Sequence, residues 1–158
     1  MKLFLKNFLF TLLVAAMVSV YVPLLIASGM VVITNWIWLV IGIVLLLLGV
    51  AIYIWTVWNF ASFGRGTPLP LDAPKKLVVR GLYRCTRNPM YIGVILVILG
   101  WASVLANVWL LLYALGVFLV VHMFVIAYEE PHLKQQFGED YIRYTSEVGR
   151  WLTIKHKN

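Results

Sequence analysis

Of 158 residues, 63 % are apolar, and thirteen lysines and arginines outnumber six carboxylates to give a formal net charge of +7. A mean hydropathy of +0.92 excludes a water-soluble domain, because a chain of this length has no interior large enough to hide so much apolar surface. A single cysteine, Cys85, excludes an intrachain disulfide and any multi-cysteine metal site, and reads as an ordinary small residue at an interface.

Four stretches free of Asp, Glu, Lys and Arg, at residues 8–28, 36–60, 90–106 and 108–128, approach or exceed the roughly 20 residues that cross a hydrocarbon core. The chain therefore reads as an all-α polytopic membrane protein with four transmembrane helices and a single membrane domain. Residues 1–60 form a two-helix N-terminal anchor. Lys2 and Lys6 precede its first apolar run, which is longer than a signal-peptide core and ends in no clear small-x-small site, so the helix is expected to be retained. Residues 61–89, rich in Gly, Ser and Pro among their charges, form a loop with turns. Residues 90–128 supply the third and fourth helices, which meet at "LANVW" with almost no loop and so predict a tight helical hairpin.

In residues 129–158, Leu133, Phe137, Tyr141, Tyr144 and Val148 are spaced by 4, 4, 3 and 4, one face of a helix. Gly138 should divide this stretch into two short amphipathic helices lying against the bundle or the lipid surface. Four alternating helices bring residues 1–7, 61–89 and 129–158 to one face, and these carry two, six and five Lys or Arg, all thirteen. The positive-inside rule puts that face, with both termini, in the cytoplasm, and the lack of a visible long targeting sequence points to the plasma (inner) membrane.

The chemistry gathers at "YRCTRNPMYIG", residues 83–93. Pro89 suits the first position of a helix and Asn88 its N-cap, so the third helix begins here, its positive dipole end beside Arg84 and Arg87. Such a helix start attracts a carboxylate or a phosphate. Glu129 and Glu130 close the fourth helix as read from sequence, where the dipole and their mutual repulsion disfavour them, so local stability does not explain them. A hairpin would bring them to the arginines, making a pocket with both signs of charge. S-adenosylmethionine, with its carboxylate, ammonium, sulfonium and ribose hydroxyls, matches such a pocket, and so does a nucleotide. His122 reads as a neutral histidine hydrogen-bonded inside the bundle. Glu129 and His132 are spaced like half a carboxylate di-metal site, but Pro131 intervenes and no second copy exists, so no metal is assigned.

"GLYRCTRNPMYIG" at 81–93, "LGWA" at 99–102, "YEEPHL" at 128–133 and "FGEDYIRYTSEVGRW" at 137–151 together resemble the membrane methyltransferases grouped as isoprenylcysteine carboxyl methyltransferases and phospholipid (phosphatidylethanolamine) N-methyltransferases. The resemblance covers about residues 65–152. It implies S-adenosyl-L-methionine as cofactor, a pocket lined by Arg87, Asn88, Pro89, Tyr91 and Gly93 with Glu129 and Glu130 as a second wall, and Tyr141 and Arg150 on the segment 129–158 that closes it. Arg87, Tyr91 and Glu130 are the implied catalytic residues. Asn88 stands where prenylcysteine enzymes usually carry His, and Gly149 where a Val-Pro-Arg triplet is usual; "NPMY" and "YEEP" lean to the phospholipid enzymes and "FGEDYIRY" to the prenylcysteine enzymes.

The expected partner is a lipid or lipidated acceptor entering from the bilayer, with no nucleic acid. A carboxylate acceptor needs an arginine to orient it, Arg87 or Arg84; an amine must first lose a proton, to one of the glutamates or to Tyr91. A membrane-embedded sterol-type NADPH reductase and a non-enzymatic assembly protein are the alternatives the sequence leaves open. A transporter is disfavoured because its helices carry only His122 as an ionisable group.

Overall fold

The computed structural model describes residues 12–28, 35–59 and 77–153. Residues 8–11 and 60 of the expected spans, the loop 61–76, Lys2, Lys6 and the tail 154–158 lie outside the described residues. Every regular element among those described is helical: α1 (Leu12–Ala27), α2 (Trp36–Asn59), a 3₁₀ turn (Gly81–Arg84), α3 (Pro89–Val104), α4 (Val108–Phe137) and α5 (Glu139–Glu147). Two of them, α2 and α4, are long and apolar enough to cross a membrane; α1 and α3 are shorter apolar helices. The apolar side chains of the long pair face outward, with Leu47 67 % and Val120 70 % exposed, which suits lipid and not water.

The most extensive contact joins α2 and α3. Gly42 and Gly49 on α2 meet Gly100 and Gly93 on α3, so the helices run antiparallel with a seven-residue repeat on each. A Cβ at Gly49 would stand 2.7 Å from the Gly93 carbonyl oxygen, and one at Gly93 would stand 2.9 Å from that of Gly49. Backbones this close leave no room for a side chain, the packing that small residues permit between helices in lipid. Ser103 Oγ adds a hydrogen bond to the Trp38 carbonyl, 2.9 Å.

Leu105, Ala106 and Asn107 link α3 to α4, which pack on each other. Ala106 adopts φ 46°, the left-handed conformation that ends a helix, and the Asn107 side chain caps α4 by accepting from Trp109 N at 2.9 Å.

Two prolines shape the bundle in the same way. Pro23 follows a π-helical turn at Met17–Tyr21, and Pro131 follows one at Val125–Glu129. A proline inside a helix lacks the N–H and crowds the carbonyl of the preceding turn; widening that turn by one residue relieves the crowding. Val22 N then bonds Met17 O, which assigns Val18 O to the missing Pro23 N–H. Tyr113 on α4 supplies the donor, its hydroxyl bonding Val18 O at 2.9 Å.

This wide turn corrects one expectation. The fourth helix does not end at 128: α4 continues through the π turn to Phe137, so Glu129 and Glu130 sit inside a helix and not at a C-terminus. Dipole repulsion therefore does not bear on them, and their partners must explain them. Gly138, at φ 51°, does separate α4 from α5. Beyond it Tyr141, Tyr144 and Val148 form a core cluster with Leu77, Leu133 and Phe137, so the five spaced residues share one face as the spacing predicts.

Candidate functional site

The polar residues converge where the loop before α3, the Glu pair of α4 and the segment after α5 meet. Glu130 is the hub. Its Oε1 is 3.0 Å from Arg87 Nη1 and 2.6 Å from Arg150 Nε, and its Oε2 accepts from Arg150 Nη2 at 2.9 Å. One carboxylate thus bridges two guanidiniums, with Arg150 bound through the parallel pair of bonds that gives arginine its geometric selectivity. The three side chains are 13 to 31 % exposed, so the cluster is sheltered without being sealed.

Successive side chains on a helix diverge by about 100°, yet Glu129 also reaches the start of α3, accepting a hydrogen bond from Tyr91 Oη at 3.0 Å. Two carboxyl groups and two guanidiniums are thus gathered over a few residues. Arg87 Nε is buried without an acceptor, a donor left over in the cluster.

The C-terminal segment is fastened to the loop by its backbone. Arg87 N donates to Gly149 O at 3.1 Å, and the Arg150 carbonyl accepts from Thr86 Oγ1 at 3.1 Å and Asn88 Nδ2 at 3.0 Å. Thr153 N and its hydroxyl both donate to Cys85 O, at 2.8 and 2.7 Å. Asn88 therefore does not act as the side-chain cap expected of it; its amide ties two segments together while Thr86 Oγ1 accepts from Asn88 N at 3.1 Å. Pro89 opens α3 as expected and is fully buried.

Tyr141 is buried beside the cluster: burial pushes its phenol up, and the neighbouring Arg87 guanidinium opposes that rise. Hydrogen bonding to Glu130 holds the Arg150 guanidinium above its already high value, so it stays charged. Tyr144, buried, donates to the Tyr83 carbonyl at 2.7 Å and locks α5 onto the 3₁₀ turn.

Arg87, Asn88, Tyr91, Glu129, Glu130, Tyr141 and Arg150 are therefore brought together, from three distant parts of the chain. Gly93 is not: two residues after Tyr91 it turns to the opposite side of α3 and packs on Gly49, so packing accounts for it. Arg84 is exposed on its 3₁₀ turn and takes no part in the ion pairs described. Sequence reasoning missed Thr86 and Thr153, which fasten the segment, and Trp151, whose Nε1 donates to His122 Nδ1 at 3.0 Å. Their nearness in sequence to Arg87 and Arg150 was the available signal.

Comparison with known proteins agrees with the motifs. The chain is 40 % identical over 63 residues to an uncharacterized protein of Haemophilus influenzae, covering 40 % of this chain and all of that one. It is 37 % identical over 76 residues to Protein-S-isoprenylcysteine O-methyltransferase B of Arabidopsis thaliana, covering 46 % of this chain and 37 % of that protein. No solved structure matches. The family described as phospholipid methyltransferase matches residues 37–140, a stretch that runs from α2 through the Arg87 and Glu130 clusters into α5, and the chain belongs to that family.

Proposed function

We propose that the protein is an S-adenosylmethionine-dependent methyltransferase acting at the cytoplasmic face of a membrane on an amphiphilic acceptor, a phospholipid amine or a prenylcysteine-type carboxylate. In this reading α1 to α4 all cross the bilayer, α3 and α4 form an antiparallel hairpin, and both termini are cytoplasmic. The observation that carries the proposal is Glu130 held between Arg87 and Arg150, with Tyr91 and Glu129 beside it, at the point where three segments converge.

The residues present fit the cofactor. Its carboxylate matches the Arg87 guanidinium, whose Nε has no acceptor, and its ammonium and ribose hydroxyls match the Glu129 and Glu130 carboxylates. Asn88, Pro89, Tyr141 and Arg150 shape the pocket around them. Bound there, S-adenosylmethionine supplies a methyl group on a sulfonium.

The chain's own work is orientation, exclusion of water and proton handling. Arg150 and its backbone fastenings cover the cluster from the aqueous side. A carboxylate acceptor needs only a cation to hold it, and Arg87 is suited to that. An amine acceptor must lose a proton. Two guanidiniums stabilise the Glu130 anion and make it a weak base, whereas Glu129 receives a single neutral hydrogen bond from Tyr91. Glu129 is therefore the better proton acceptor, and Glu130 serves by fixing the arginines.

Calorimetric titration of the detergent-purified protein with S-adenosylhomocysteine tests the proposal, beside the Glu130→Gln and Arg87→Ala variants. Micromolar binding lost in either variant is the expected result. Absence of binding by a folded wild type would overturn the methyltransferase reading and turn attention to dinucleotides.

A further inference from the structure

Residue 150 grips α4 at Glu130, and residue 151 grips the same helix eight positions earlier. Trp151 Nε1 donates to His122 Nδ1 at 3.0 Å, and the indole packs on Phe118 with ring centroids 5.0 Å apart and on His122 at 5.9 Å. Phe118 and His122, one helical turn apart, stack on each other at 5.8 Å. The indole thus sits in a socket that supplies both apolar area and an acceptor for its N–H.

The loop fastenings hold the Arg150 carbonyl but leave its side chain free to swing, since Thr86 and Asn88 grip only the backbone. A second anchor immediately after it removes that freedom. We propose that His122 and Trp151 are positioning residues for the cofactor pocket: their hydrogen bond and ring contact set the C-terminal segment on α4 so that Arg150 meets Glu130 in its two-bonded geometry. The positioning role rests on reading the cluster as the cofactor pocket; the latch itself does not.

The acceptor role is specific. His122 Nδ1 must carry a lone pair, and an asparagine places its carbonyl oxygen near the same point, whereas phenylalanine keeps only the ring. The full chain in detergent is compared as wild type, His122→Phe, His122→Asn, Trp151→Phe and the double variant His122→Phe/Trp151→Phe. Hydrogen exchange over residues 149–153 reads the latch without ligand, because the Thr153 amide is held by Cys85 O only while the segment is docked. Affinity for S-adenosylhomocysteine reads the positioning.

Exchange about tenfold faster and affinity about tenfold weaker are expected in His122→Phe and Trp151→Phe, with the double variant no worse than either and His122→Asn close to wild type. Unchanged exchange in the single variants, or losses that add in the double variant, would overturn the latch even where the wild type binds the probe. The expected exchange pattern in a protein that binds no S-adenosylhomocysteine would instead remove the cofactor reading and, with it, the positioning role.

Discussion

Gly49 and Gly93 touch backbone to backbone, each lying where the other's side chain would have to be. That contact and its twin at Gly42 and Gly100 fix how α3 lies on α2, and hence where the start of α3 presents Arg87 and Tyr91. Gly49→Ala is expected to force the helices apart and destabilise the bundle by about 1–3 kcal/mol, the usual cost of overpacking. Gly116 is the control, because a Cβ there meets nothing within 4 Å. Gly116→Ala should be neutral or raise stability by up to about 1 kcal/mol. Thermal unfolding in detergent reads both, and equal effects would disprove the packing argument.

Arg150 binds Glu130 through two nitrogens, which a lysine cannot imitate. Arg150→Lys should therefore behave almost like Arg150→Ala, each weakening S-adenosylhomocysteine binding by about tenfold, or about 1.4 kcal/mol. Retained affinity in Arg150→Lys would mean that charge alone matters at this position.

Much of this architecture was legible from the chain. Asn88-Pro89 marked the start of α3, Gly138 marked the break before α5, and the 4, 4, 3, 4 spacing from Leu133 to Val148 marked one packed face. Local rules sufficed because each feature concerns neighbours in sequence. The course of α4 past 128 was not legible, because Pro131 ordinarily stops a helix and only a π turn lets it continue. The seven-residue glycine spacing was visible in each helix, but which glycine faces which depends on the packed pair. Asn88 had two uses open to its amide, a cap or a tie to Arg150 O, and only the approach of residue 150 decides between them.

The phenols of Tyr83, Tyr141 and Tyr144 are all pushed above their usual value, chiefly by burial. In the unfolded chain each ionises near pH 10; in the folded chain each stays protonated to higher pH. Stability from these groups is complete below about pH 10 and falls as pH rises beyond it, because the unfolded state then releases protons the folded state keeps. The midpoint of unfolding should begin to drop near pH 10 and go on dropping as pH rises further. Tyr144→Phe should flatten that drop, while losing about 1–2 kcal/mol at neutral pH from the Tyr83 carbonyl left without its bond. An alkaline slope identical to wild type would show that Tyr144 ionises freely in the folded protein.

Tyr113 and Pro23 should act as one unit, although they lie on different helices. The proline withholds the N–H that Val18 O would take in its widened turn, and the Tyr113 hydroxyl donates instead. Tyr113→Phe alone leaves that carbonyl unpaired in an apolar surrounding and should lower stability by about 1–2 kcal/mol. In a Pro23→Ala background the backbone can supply its own donor, either to Val18 O or by restoring a regular α turn, so the same substitution should matter far less. A coupling energy of about 1 kcal/mol in the double-mutant cycle, measured by unfolding in detergent, is the expected result. Additive effects would mean that the carbonyl does not depend on Tyr113, and that the hydroxyl contributes to the α1–α4 contact by some other route.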